Sequence, residues 1–299
     1  MSEDTDALGG LVVVDKPGGV TSHDVVGRCR RIFRTRRIGH AGTLDPMATG
    51  VLVLGVNRAT KMLGLLSLTT KAYAATIRLG ASTTTDDAEG DITATSDASQ
   101  VGAREYAPAL EALTGTISQV PSSVSAIKVA GKRAYEIVRS GAEVQLAARE
   151  VTVSSFTVEG ERREGQFLDL DVSVECSSGT YVRALARDLG SALGTGGHLT
   201  RLRRTRVGEL TLADAVTLES LAEAAHLSLS LDEAAARLFP VRNVTGPEAA
   251  ILTNGRWLEP VGLTGPYAAI DPDGRAIALL EEKGRRASPV FVIRPAGLL

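Results

Sequence analysis

Leu168, Leu170, Val172, Val174 and Cys176 alternate with Asp169, Asp171, Ser173 and Glu175. Side chains along a strand point to opposite faces in turn, so this run suits a strand with one face buried and the other wet. Sheets wetted on one face are mostly antiparallel. Residues 11–14 and 51–56 are further strand-sized apolar runs, and Tyr73, Ala75, Ile77 and Leu79 share one face of another strand. Thr21 or Ser22 is placed to cap a helix with the apolar stripe Val25, Cys29, Ile32 and Phe33. Arg30, Arg31 and Arg34 then fall on its opposite face. Residues 104–113 predict a helix closed by Gly115, and residues 132–140 another closed by Gly141. Val182, Leu185, Ala186, Leu189 and Leu193 are spaced for the inward face of a further helix. Residues 209–238 are helical in composition, whereas residues 39–50 and 81–99 read as loops. Strands and helices mixed without regular βαβ alternation predict an α+β fold, with a mixed, largely antiparallel sheet and flanking helices and loops.

The texture changes near residue 241. A short helix ends near Gly255, and Asp271-Pro272-Asp273-Gly274 is a hairpin signal between residues 267–270 and 277–280. Residues 289–293 make a last strand. The expected division is a flexible acidic tail over 1–9, a main domain over 10–240 and a small β-rich domain over 241–299.

Several chemistries are disfavoured. Cys29 and Cys176 lie far apart, and the four histidines show no HxH or HExxH spacing, so no metal site is expected. GxGxxG and GxxxxGK[ST] are absent, so no nucleotide cofactor is expected. The chemistry is expected to need no cofactor. No apolar run approaches the roughly 18 to 20 residues of a membrane span, and the N-terminus lacks the pattern of a secretory signal. A cytoplasmic protein is expected, with its two thiols as incidental core residues.

The formal net charge of −2 argues at first against a polyanionic partner. The average conceals an asymmetry. Residues 16–61 contain nine basic side chains, Arg36 and Arg37 among them, against Asp24 and Asp45. Residues 177–210 contain six against Asp188 and Glu209, while residues 81–119 hold seven acids against Arg104. Two basic segments of this kind predict a surface for an anionic polymer. Arginine-rich solvated faces are also common, so the charge alone does not decide.

Gly39-His40-Ala41-Gly42-Thr43-Leu44-Asp45-Pro46-Met47-Ala48-Thr49-Gly50 is the most informative segment. Pro46 pushes Asp45 toward an extended backbone, and the glycines permit a tight path close to a ligand. A carboxylate held this way is a candidate nucleophile or base. An Asx turn before proline is the commoner use of Asp-Pro.

The segment GHAGTLDPMATGVL resembles the catalytic motif of the TruB family of pseudouridine synthases. Other stretches resemble family motifs in the same order: Lys16-Pro17-Gly18-Gly19-Val20-Thr21-Ser22; Lys71-Ala72-Tyr73 with Gly80 and residues 83–90; Pro121 to Lys128 with Gly131 to Glu136; and Cys176 to Arg183 followed by His198 to Arg204. The resemblance covers about residues 10–210. Where the family often has paired prolines, only Pro121 stands here. Residues 241–299 look like a short variant of the PUA-like RNA-binding domain of relatives.

The resemblance implies a pseudouridine-synthase-type fold and the isomerisation of uridine to pseudouridine at position 55, in the T loop of tRNA. It implies Asp45 as nucleophile, Tyr73 against the uracil face and available for proton transfer, and Arg183 as the cation paired with the carboxylate. Tyr181 and Leu202 match positions that contact the target nucleotide. His40 matches the residue that fills the space left by a flipped base. Lys16, Arg36 and Arg37 are candidate phosphate contacts. Asp45 has three routes open to it: attack at the anomeric carbon, attack at ring carbon 6, or assistance to a glycal path. The implied partner is the T arm of tRNA, bound by a monomer without guide RNA. A non-catalytic tRNA-binding protein or tRNA folding chaperone is the rival reading, and a guide-RNA-dependent relative a third. The intact Asp45 loop favours the enzyme, because a pure binder has no reason to set an acid among phosphates.

Overall fold

The computed structural model describes residues 8–122, 128–129, 132–133 and 146–298. The chain opens with β1 (Gly9–Lys16), α1 (Ser22–Ile32), β2 (Ile38–His40), β3 (Thr49–Asn57), a 3-10 turn (Arg58–Met62) and α2 (Leu63–Ser67). β4 (Lys71–Leu79), β5 (Ala81–Thr83), β6 (Ile92–Thr95), α3 (Ala103–Ala112), β7 (Gly115–Gln119), β8 (Lys128–Val129) and β9 (Lys132–Arg133) follow. Then come β10 (Arg149–Glu164), β11 (Phe167–Cys176), α4 (Val182–Ala192), β12 (Gly197–Val207), β13 (Leu210–Thr211), α5 (Leu218–Glu223), β14 (Leu229–Ser230) and α6 (Leu231–Leu238). The last stretch holds β15 (Val241–Asn243), α7 (Gly246–Thr253), β16 (Tyr267–Ile270), β17 (Ala276–Lys283) and β18 (Arg286–Val292). Two compact units result, one from residues 1–46, 50–68 and 207–299, the other from residues 47–49 and 69–206.

In the first unit, β1 pairs antiparallel with β3 from Gly9 opposite Asn57 to Lys16 opposite Gly50. β14 and β2 add short antiparallel pairings to β1 and β3. α1 starts where the sequence places it. Thr21 caps it, accepting from the Asp24 amide, and the Asp24 carboxylate accepts from the Thr21 amide. Val25, Val26 and Cys29 are buried, while Arg28, Arg30 and Arg31 are exposed. β15 to β18 form a four-stranded sheet, parallel only between β15 and β16. Both its faces are covered. Ala268, Ile270, Leu279, Phe291 and Ile293 share a core with Leu11, Val13, Val51 and Val53 of β1 and β3 and with Ala234 and Ala235 of α6. Tyr267, Ala269, Ala278 and Leu280 pack instead with Ala249 and Leu252 of α7. Coverage on both sides is why residues 267–270 read as a continuous apolar run.

Two arginines tie that sheet down. Arg58 donates to the carbonyls of Val292 (2.6 Å) and Ile293 (2.9 Å), and Arg294 pairs with Asp232 (2.6 Å) while donating to the Ala276 carbonyl. The expected boundary at 241 therefore marks the start of a sheet, while the compact unit extends on both sides of it.

The alternating run of the second unit is β11, antiparallel to β4 from Leu168 opposite Leu79 to Cys176 opposite Lys71. Its other side pairs with β10, which pairs in turn with β7. α4 buries Leu185, Ala186 and Leu189.

Some expectations need correction. Residues 81–99 are not all loop: β5 and β6 pair antiparallel. Every residue of β6 is exposed, so no apolar alternation marks it. Residues 209–238 are not one helical stretch but α5 and α6 with turns and short strands between. The first strand begins at Gly9 instead of Leu11. The helix expected over 132–140, most of the motif over 121–136 and residues 1–7 of the acidic tail lie outside the described residues.

Candidate active site

The loop holding Asp45 is fixed from both sides by the segment that follows β1. Ser22, in the first turn of α1 and buried, donates from Oγ to the Leu44 carbonyl (3.1 Å) and accepts from the Leu44 amide (2.9 Å). On the other side of Asp45, the Pro46 carbonyl accepts from the Gly19 amide (2.9 Å) and from Lys16 Nζ (3.1 Å). Gly19 sits at φ 78°, a backbone setting that favours glycine. Leu44 is buried and Asp45 half-buried. The aspartate is thus gripped through the main chain of its two neighbours.

This geometry corrects the expectation for Lys16. Its side chain is 0% exposed, and Nζ also donates to the carbonyls of Pro17 (2.9 Å) and Val20 (2.7 Å). An ammonium has three protons, and three carbonyls take them. Lys16 closes the turn that holds Pro46 instead of reaching a phosphate.

His40 ends β2 opposite Leu54 of β3. Its ring meets His23 of α1 edge to face, with centroids 5.6 Å apart. Arg36 and Arg37 are exposed on the turn between α1 and β2, beside exposed Arg34. Asp45, His40, Lys16, Arg36 and Arg37 all belong to the first unit.

Tyr73, Tyr181, Arg183 and Leu202 belong to the second. Tyr73 lies on β4, buried, opposite Val174 of β11. Leu202 is buried on β12. Tyr181 caps α4 and is pinned at both backbone groups by one buried side chain: Gln119 accepts from its amide (2.9 Å) and donates to its carbonyl (3.1 Å). That places Arg183 in the first turn of α4. Arg183 is not the exposed helix residue its sequence position allows, being only 3% exposed. Its Nη1 donates to the Thr85 carbonyl (2.9 Å) and lies 3.3 Å from the Asp87 carboxylate.

Asp87 is the partner of Arg183 that sequence reasoning did not single out. It is buried, and its Oδ1 accepts from Thr85 Oγ1 (2.5 Å) and from the Glu89 amide (3.0 Å). One carboxylate therefore orders the 83–90 turn and meets the arginine. The pairing spans 96 residues of sequence, beyond any spacing rule; Asp87 stands in the motif-like stretch 83–90, but nothing there tells its partner.

The second basic segment also needs correction. Arg183 and Arg204 are buried, Arg187 is paired with Asp86 and Asp188, and Arg206 is paired with Glu175 (2.7 Å). Counting charge along the chain overstates what this segment shows to solvent. Both thiols are buried, and burial pushes each up to about 11, so neither is a nucleophile near neutral pH. Among the described residues no group of three or more His, Cys, Asp or Glu is arranged to hold a metal ion, and no helix is long and apolar enough to cross a membrane.

Known proteins match the chain over nearly its whole length. The family model "TruB family pseudouridylate synthase (N terminal domain)" matches residues 30–182. Models of a tRNA pseudouridylate synthase B C-terminal domain and of "tRNA Pseudouridine synthase II, C terminal" match residues 183–244 and 239–294. A protein of Nocardia farcinica named tRNA pseudouridine synthase B is 66% identical over 294 residues, covering 98% of this chain and 96% of that protein. One of Rhodococcus jostii with the same name is 65% identical over 290 residues, covering 97% and 95%. Among solved structures, a chain of the archaeal box H/ACA sRNP Nop10-Cbf5 complex superposes with a TM-score of 0.74 at 22% identity, covering 100% of this chain and 90% of that one. That last likeness is one of fold.

Proposed function

Since the chain belongs to the TruB family of pseudouridine synthases, we propose that it isomerises uridine to pseudouridine at position 55 in the T loop of tRNA, with Asp45 as nucleophile and no cofactor. The bond between uracil N1 and the sugar breaks, the base turns, and a bond forms from ring carbon 5 to the same sugar carbon. Carbon 5 gives up a proton and N1 gains one. No electrons enter or leave and no water is incorporated, so the two carboxylates of a glycoside hydrolase are not required. One nucleophile, one proton-transfer group and a cation suffice.

The assigned roles are Asp45 as nucleophile, Tyr73 against the uracil and in proton transfer, and Arg183 as the cation. Tyr181 and Leu202 line the nucleotide. Extruding a stacked base costs a few kcal/mol, and His40, a planar ring, is assigned to the space the base leaves. Arg36 and Arg37 contact phosphates. Residues 241–299 are assigned as a short PUA-like RNA-binding domain on a catalytic domain of residues 10–240. The protein works as a cytoplasmic monomer without a guide RNA.

The observation that supports this best is the double grip on the Asp45 loop from Ser22, Gly19 and Lys16. A fixed carboxylate suits nucleophilic attack, whereas a folding chaperone has no use for one. The test is incubation with an unmodified tRNA transcript, followed by mapping of carbodiimide-resistant adducts. A single stop in the T loop is expected, and Asp45→Asn should abolish it while keeping the fold and tRNA binding. Near-wild-type turnover by Asp45→Asn would sink the assignment of the nucleophile; stops at many sites would sink the assignment of the substrate.

A further inference from the structure

We propose that the concavity around Trp257 is a second RNA subsite, which takes an unpaired base and its flanking phosphate from a single-stranded segment. This rests on the reading that the chain acts on RNA. Trp257 is the only tryptophan of the chain and is 43% exposed. A single exposed aromatic residue is ordinary, but this one is not isolated. With Glu259, Pro260, Gly284, Arg285 and Arg286 it lines an open concavity of about 620 Å³. The Arg286 guanidinium lies over its ring, 5.0 Å from the centroid.

The platform is wet but firmly mounted. Leu258, the next residue, is buried and exchanges two backbone hydrogen bonds with Ala287 (3.0 and 2.9 Å). The Glu259 carbonyl accepts from Arg242 (2.8 Å), and the amides of Val261 and Gly262 donate to Glu282 (2.8 and 3.0 Å). Arg285 sits at the β17–β18 turn, exposed. Two guanidinium groups, Arg285 and Arg286, therefore line the concavity with the indole, and Glu259 is the single acid among its lining residues.

Charge and shape select the occupant. An indole face stacks on any base, since every base has a π face, and arginines add cation–π and phosphate contacts. A duplex keeps its base faces hidden, so only unpaired nucleotides fit. Two cations to one acid around an exposed indole favour a polyanion over an apolar protein surface.

Trp257 emission is a direct reporter. An adenosine hexaribonucleotide should quench it saturably at 50 mM salt, and affinity should fall as salt rises to 200 mM. Arg285→Glu, which keeps the reporter, should weaken binding about 5- to 10-fold. Trp257→Ala should lose about 5- to 100-fold in affinity for a dye-labelled hexamer, the worth of one stacked base. Absence of quenching, equal quenching by a blunt RNA duplex, or wild-type affinity in Trp257→Ala would overturn the proposal. So would emission that changes on dilution without RNA, which marks the face as a contact between copies of the chain. Wild-type turnover of a T-arm hairpin is measured alongside. Turnover without hexamer binding removes the subsite and leaves the function; hexamer binding without turnover does the reverse.

Discussion

Ser22 uses one hydroxyl to satisfy both backbone groups of Leu44, next to the proposed nucleophile. Ser22→Ala leaves a buried amide and carbonyl without that partner, at a cost of about 1–3 kcal/mol each way the groups fail to re-pair. Displacing a reacting group by about 1 Å can cost about 100-fold in rate. The variant should therefore lose about 10- to 100-fold in kcat with KM little changed, as steady-state kinetics on a tRNA transcript would show. An unaltered kcat would mean that the grip is only structural. Lys71, buried at the start of β4, gives a second test. Burial, reinforced by the Arg204 cation and opposed by Cys176, pulls its ammonium from 10.5 down to about 8. Below pH 8 folded and unfolded chains both hold the proton, so its destabilising effect is fully present. Between about pH 8 and 10.5 the unfolded chain holds more of it, so stability from this group rises with pH, by at most about 3 kcal/mol. The buried thiols, unfolded near 9.0 and folded near 11, act in the opposite sense above pH 9. The readout is therefore the difference in urea midpoint between wild type and Lys71→Met, which should grow smaller as pH rises. A difference independent of pH would contradict the depressed ammonium.

At the scale of elements, α1 and the turn after it present Arg28, Arg30, Arg31, Arg34, Arg36 and Arg37 to solvent. If Arg36 and Arg37 each neutralise a phosphate, Arg36→Gln with Arg37→Gln should flatten the slope of log affinity against log salt by roughly 1 to 2, with less effect on kcat. An unchanged slope would place the RNA elsewhere. α1 was legible because its signals are local: Thr21, Asp24 and a stripe at helical spacing. β11 was legible for the same reason, through period-2 alternation. β6 was not, because all four of its residues are exposed, and neither was β10, whose residues from 157 onward are exposed or only half-buried. The candidate site divides the same way. Asp45 stood out within one loop, whereas the Arg183–Asp87 pair and the Gln119 clip on Tyr181 join residues 96 and 62 positions apart. Lys16 was misjudged because a motif lists residues without saying which are inside.

On the scale of the whole molecule, the C-terminal sheet is built into the core of the first unit. Ala268, Ile270, Leu279, Phe291 and Ile293 cover β1 and β3, and Arg58 and Arg294 fasten the arrangement. A chain ending at residue 240 should uncover that core and fail to fold, seen as loss of a cooperative thermal transition and binding of a hydrophobic dye. A cooperatively melting 1–240 fragment would show that the shared core is dispensable. The same sharing sets an order on biosynthesis. β1 and β3 leave the ribosome first, yet the side chains that cover them are encoded near residues 268–293. At 5 to 20 residues per second the nascent strands wait on the order of ten seconds or more for their cover. The exposed early strands are therefore where a chaperone is most needed during translation.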